Sequence, residues 1–145
     1  MDERGEGRMH PGEVVRSLHR AVSAHDLEGI VAHFAEDYVL ENPVHPERSF
    51  RGAEQVRRNW SHLLAFIAGL ELEERRSMAD GSTVWTEIVI RGRLADGTEQ
   101  VLRGVMIFRV DGGLIAAGTF YLEPVVRDGL DANAALHALT AEPGR

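Results

Sequence analysis

The sequence predicts an α+β fold, three helices followed by a strongly curved antiparallel sheet, and three observations carry that prediction. Apolar residues recur at helical spacing through roughly the first half of the chain, and from Leu70 onward the period changes to two. Three Asp-Gly pairs, Asp80-Gly81, Asp96-Gly97 and Asp111-Gly112, then divide the alternating runs. Asp-Gly between such runs signals a hairpin, because a tight turn needs residues that tolerate positive φ. Helices first and antiparallel strands afterwards give a layered arrangement in which the helices cover one face of the sheet.

Each element has a local cause. Pro11 suits a first helical turn, and Val14, Val15, Leu18 and Val22 follow on one face. Asp26 is a good N-cap for a short second helix whose Leu27, Ile30, Val31 and Phe34 form a stripe; Gly29 weakens it, so it relies on packing. A short strand over 39–42 ends at Pro43, and a loop with a second proline, Pro46, follows. From Gly52 a third helix places Val56, Trp60, Leu63, Leu64 and Ile67 on one face and is closed by Gly69. Four strands are then predicted near 70–79, 83–94, 98–110 and 114–124. The stretch DGLDANAALHALT adds helical structure over the sheet edge.

At 145 residues the chain reads as one domain, with a core over about 11–125, polar ends that fray over 1–10 and near 140–145, and a C-terminal tail over 126–145. The apolar fraction of 43% and the charged fraction of 27% are those of a folded, soluble domain and argue against disorder. No apolar run approaches the roughly 20 residues that span a bilayer, and MDERGEGRMH lacks the apolar centre of a signal peptide, so a cytoplasmic protein without a membrane partner is expected. A net charge of −7 repels phosphate backbones and argues against nucleic acid. With no cysteine, disulfides, thiol nucleophiles and thiolate metal sites all drop out.

Both parities of the last two strands are largely apolar: Leu102, Met106, Phe108 and Val110 on one, Val101, Val105 and Ile107 on the other. A sheet apolar on both faces needs a second cover. A homodimer packed through the outer sheet face would supply it.

The segments HDLEGIVAHFAEDYVLENPV, RGAEQVRRNW and GVMIFRVDGGLIA resemble the second helix and first strand, the third helix and the penultimate hairpin of the superfamily named after nuclear transport factor 2. That superfamily includes SnoaL-like polyketide cyclases, ketosteroid isomerases and limonene-epoxide hydrolases, and the resemblance covers roughly residues 12–125. It implies a cone-shaped domain whose helices cover the concave face of the sheet around a cavity, with Asn42 facing that cavity.

The resemblance carries little of the enzymatic chemistry across. Where ketosteroid isomerases use an Asp as base and a Tyr and a protonated Asp as donors, this chain has Asn42, Leu18 and Met106. An amide has no useful basicity, and Leu and Met donate no hydrogen bond. Limonene-epoxide hydrolases keep an Asn like Asn42 to hold water; here Leu40 stands for their Tyr, and Ile88, Ile90 and Phe120 stand for their Asp-Arg-Asp set. The implied pocket is thus apolar, lined by Leu18, Leu40, Trp60, Ile88, Ile90, Met106 and Phe120 around Asn42, and its partner is a small hydrophobic molecule. An isomerase, cyclase or epoxide-hydrolase-like enzyme with a non-standard catalytic set is one outcome; a non-catalytic ligand-binding or protein-interaction module is the other.

The register decides between them. Glu87, Arg91, Arg103, Tyr121 and Glu123 lie on the opposite parity, and inside the cavity they would make an acid-base site; on the outer face they make a cross-strand ion network, the arrangement favoured here. Three candidates remain for catalysis. Asn42 either orients a ligand or water at the cavity floor or performs ordinary turn chemistry before Pro43. His62 on the third helix either reaches the cavity rim as a base or lies on the helix surface, and His45 has the same two readings in the loop over the pocket mouth. The seven histidines show no metal-binding spacing, and no glycine-rich phosphate loop occurs, so neither metal nor cofactor is expected.

Overall fold

A computed structural model describes residues 9–142 of the chain. Helix α1 (Pro11–Ser23) begins where Pro11 predicts, with the His10 imidazole accepting the Gly12 N–H at 3.1 Å as its cap. Its Val14, Val15, Leu18 and Val22 are all buried. Helix α2 (Leu27–Ala32) is capped by Asp26, which accepts the Gly29 N–H at 3.0 Å.

Strand β1 (Phe34–Glu41) starts five residues earlier than expected, so Phe34 belongs to the strand and not to the helical stripe. Phe34, Tyr38 and Leu40 are its buried residues, and they carry the core side of the strand. A two-residue strand, β2 (Phe50–Arg51), pairs antiparallel with β1 and has no sequence signal of its own. Helix α3 (Ala53–Phe66) ends before Gly69: the branched Ile67 turns extended and buries its side chain, and β3 (Ala68–Asp80) follows at once.

Strands β4 (Thr83–Arg93), β5 (Glu99–Asp111) and β6 (Leu114–Pro124) complete the meander, with Gly112 and Gly113 both at positive φ in the last two-residue turn. Among the described residues the strand order is β2-β1-β6-β5-β4-β3, an open, curved, mixed sheet in which β1 and β6 run parallel and the other neighbours antiparallel. One core cluster joins α1, α2 and α3 to the inner face of the sheet.

Strand β3 is a sheet edge, and α1 seals part of it. The Ser23 hydroxyl accepts from the Leu72 N–H at 3.1 Å and donates to the Leu72 carbonyl at 3.2 Å, while the His25 ring approaches the Leu70 carbonyl at 2.6 Å. Backbone groups that would otherwise template a foreign strand are occupied there.

Helix α4 (Ala132–Thr140) is longer than one turn, but it buries no residue, so it does not cover the sheet edge as expected. No helix among the described residues is long and apolar enough to cross a membrane.

Candidate functional site

Period-two alternation sorts the sheet residues. Ile88 pairs with Gly104, Ile90 with Leu102, Met106 with Phe120 and Leu40 with Gly118, so all of these share the helix-covered face. Leu18, Leu40, Ile88, Ile90 and Met106 are buried in one cluster, and Trp60 and Phe120 pack against it half-buried. The same half-buried rim holds Phe50, Leu63, Leu64, Leu102 and Leu122. The residues expected to line a pocket therefore share one packed core cluster, with a fringe of half-buried apolar side chains around it.

Glu87, Arg91, Arg103, Tyr121 and Glu123 stand on the other parity, on the outer face. Arg76 donates to Glu87 at 2.6 Å, with Arg103 4.0 Å from the same carboxylate. Those contacts form a cross-strand ion network, and none of the five residues belongs to the inner cluster.

The three catalytic candidates do not converge. Asn42 follows β1 on the parity of Tyr38 and Leu40; its amide oxygen accepts the His45 N–H at 3.0 Å and its own N–H donates to the Ser49 hydroxyl at 3.0 Å. It thus performs the turn chemistry, and its amide NH2 is the group left for a ligand. His45 turns its Nε2 to Glu123, at 2.6 Å, and so faces an outer-face carboxylate instead of the cone.

His62 does not reach the rim. Val56, Trp60, Leu63 and Leu64 define the inner face of α3, and at about 100° per residue His62 falls on the opposite side. It is exposed and stacks on Phe66 at 4.4 Å, beside Arg57, Arg58 and Ser61. Phe66, a core residue by composition alone, is 61% exposed for the same reason.

Two polar groups inside the cluster escape the sequence reading. Tyr38 is 1% exposed, with Phe34 edge-on at 4.8 Å, and its hydroxyl has no partner among the described residues. Burial pushes its phenol pKa up, so it stays protonated and is a donor throughout the physiological range. Room for that hydroxyl exists because position 118 is glycine; a Cβ there would lie 2.3 Å from the Tyr38 oxygen. Thr86 is fully buried with an unpartnered hydroxyl on the parity of Ile88 and Ile90. Alternation is the signal that finds both, since each sits two residues from a wall residue.

A third buried polar group lies where α1 crosses β3. His19 is 6% exposed, and its Nδ1 is 3.2 Å from a Glu74 oxygen without hydrogen-bond geometry. Burial, and secondarily the Arg16 guanidinium, lower its pKa to about 4, so the ring is neutral at pH 7.

Among the described residues, the buried polar groups on the inner face thus include two neutral hydroxyls, of Tyr38 and Thr86, and the neutral His19 ring beside Glu74. The two hydroxyls can donate hydrogen bonds to a carbonyl or hydroxyl. Among the described residues no group of three or more His, Cys, Asp or Glu is placed to hold a metal ion.

Solved structures with the same architecture include the Mycobacterium tuberculosis protein RV0760c, in complex with estradiol-17beta-hemisuccinate. It is 26% identical, with a TM-score of 0.67 over 78% of this chain and 94% of that one. An LEH-like epoxide hydrolase of M. tuberculosis is 22% identical, with a TM-score of 0.65 over 75% of each chain. A Catenulispora acidiphila protein with a ketosteroid isomerase-like fold, in complex with trimethylamine, is 19% identical, with a TM-score of 0.65 over 75% of this chain and 85% of that one. No curated protein matches the sequence. The family model described as the SnoaL-like domain matches residues 15–118, and the chain belongs to that family.

Proposed function

We propose that this protein binds a small hydrophobic molecule in the apolar cone, with the Asn42 amide, the Tyr38 phenol and the Thr86 hydroxyl as its few polar contacts. The observation that supports this most is the inner wall itself: a buried apolar cluster passes without a break into a half-exposed apolar rim, with two buried hydroxyls that lack partners. Unpaired buried donors are costly, and a ligand carbonyl or hydroxyl would satisfy them. A compact, ring-containing molecule with one or two polar ends fits such a lining. The ligand of RV0760c is of that kind. If the bound molecule reacts, isomerisation, cyclisation or hydration promoted by positioning is the class that a neutral lining supports.

The outer sheet face is the proposed homodimer surface. Met78, Trp85 and Tyr121 are 71%, 48% and 44% exposed there, and large apolar and aromatic groups of this kind anchor protein interfaces.

The chain has two tryptophans, and only Trp60 lies on the inner wall. In a Trp85→Phe variant the remaining fluorescence reports on the cone, and titration with estradiol-17beta-hemisuccinate is expected to change it saturably. Adding Asn42→Leu should weaken binding about three- to tenfold, the worth of one neutral hydrogen bond. A flat titration of the Trp85→Phe variant would remove the support for this class of ligand.

A further inference from the structure

Two surfaces of this chain are complementary and do not meet within it. The first is the C-terminal arm. Leu136 is 58% and Leu139 80% exposed, and α4 buries nothing. A nine-residue helix with an uncovered apolar side is marginal in water, so it needs a surface to lie on. Ahead of these leucines stand Asp128 and Asp131, whose bonds among the described residues are local, accepting at 2.9 Å from the Leu130 and Ala134 N–H respectively.

The second surface is the outer face of β4 and β5. At one end Arg91, Arg103 and Arg127 surround a hollow of about 600 Å³, against the single acidic residue of its lining, Glu99. Arg91 and Arg127 have no acidic partner among the described residues, although the chain carries a net charge of −7. Further along the same face lie Val105 and Ile107, then Trp85 and Met78 beyond them.

The order and spacing of the two surfaces agree. From Arg103 to Ile107 is four strand residues, about 13 Å. From Asp131 to Leu139 is eight helical residues, about 12 Å. With an aspartate on the arginines, a leucine falls on the apolar end. The arm leaves its own sheet at Val125, whose N–H bonds the Val101 carbonyl at 2.9 Å, and it does not turn back onto that sheet.

We propose that α4 of each copy crosses to the outer sheet face of a second copy of this chain. There Asp128 and Asp131 meet Arg91 and Arg103, and Leu136 and Leu139 cover Val105, Ile107 and Trp85. A two-fold exchange makes the same contact twice and leaves no arm uncovered. This inference rests on the homodimer reading and adds to it which segment makes the contact.

The absence of cysteine allows a clean test. Full-length Leu139→Cys and Ile107→Cys variants, mixed and oxidised, are expected to form a covalent heterodimer of about twice 16.0 kDa. No cross-link in the mixture, or an internal cross-link in a chain carrying both changes, overturns the exchange, the latter because the arm would lie on its own sheet. Arg103→Glu and Asp131→Arg are each expected to weaken the dimer about tenfold in sedimentation, and the two together to recover most of it; loss without recovery speaks against the pairing. Val105→Glu separates the two claims. If it yields monomer while the cysteine mixture fails to cross-link, the outer face is a dimer surface and the arm has no part in it.

Discussion

Replacing Gly104 by alanine is expected to cost about 3 kcal/mol or more, a shift of roughly 2 M in the urea midpoint. The added Cβ would lie 1.9 Å from the Tyr121 carbonyl oxygen and 2.9 Å from the Leu122 Cα. Both are backbone atoms of β6, so no change of rotamer relieves the overlap. The strands would have to part at the Gly104–Leu122 pairing, next to Met106 and Phe120, which face each other on the cone wall. Binding of the proposed hydrophobic ligand should therefore weaken along with stability. An unchanged midpoint would mean that β5 and β6 run farther apart than described.

Acid is expected to remove about 3 kcal/mol of stability through one residue, His19. Its folded pKa is lowered from 6.5 to about 4, chiefly by burial. Between these values the unfolded chain holds a proton on this imidazole and the folded chain does not. Stability consequently falls as pH drops from 6.5 towards 4 and levels off below, where both states are protonated. Carboxylates also lose their pairings in acid, so the diagnostic quantity is a difference. Urea unfolding of the protein and of His19→Gln, each at pH 7, 6, 5 and 4, should give curves that converge as the pH falls. Parallel curves would show that His19 takes up its proton without resistance.

Much of the inner wall is legible in the sequence, and the reason is geometric. Ile88, Ile90, Met106 and Phe120 lie on strands whose faces are set by alternation and whose turns are set by Asp-Gly, so their side follows once one of them is assigned. Leu18 follows likewise from the helical spacing of Val14, Val15 and Val22. Phe34 misleads because it satisfies two periods at once: it continues the stripe of Ile30 and Val31, and it also alternates with Tyr38 and Leu40. Packing chooses the strand. Glu74 is illegible for another reason. It continues the alternation of Leu70 and Leu72 on the inner side, but it stands in the charged run Glu73-Glu74-Arg75-Arg76, which reads from composition as a solvated face. The bond from the Asn42 amide to His45 depends on the path of the loop, which Pro43 and Pro46 constrain without dictating.

The parallel pairing of β1 with β6 has a consequence for how the chain comes together. Glu41 is matched with Thr119, about 80 positions later. During synthesis β1 therefore waits, with Phe34 and Tyr38 lacking their sheet neighbours, until nearly the whole chain has left the ribosome. The last hairpin closes quickly, since its partners are adjacent in sequence, whereas joining β1 to it spans most of the protein and should be the slow step. Growth arrested before residue 115 would leave β1 paired with the two-residue β2 and without its parallel neighbour β6.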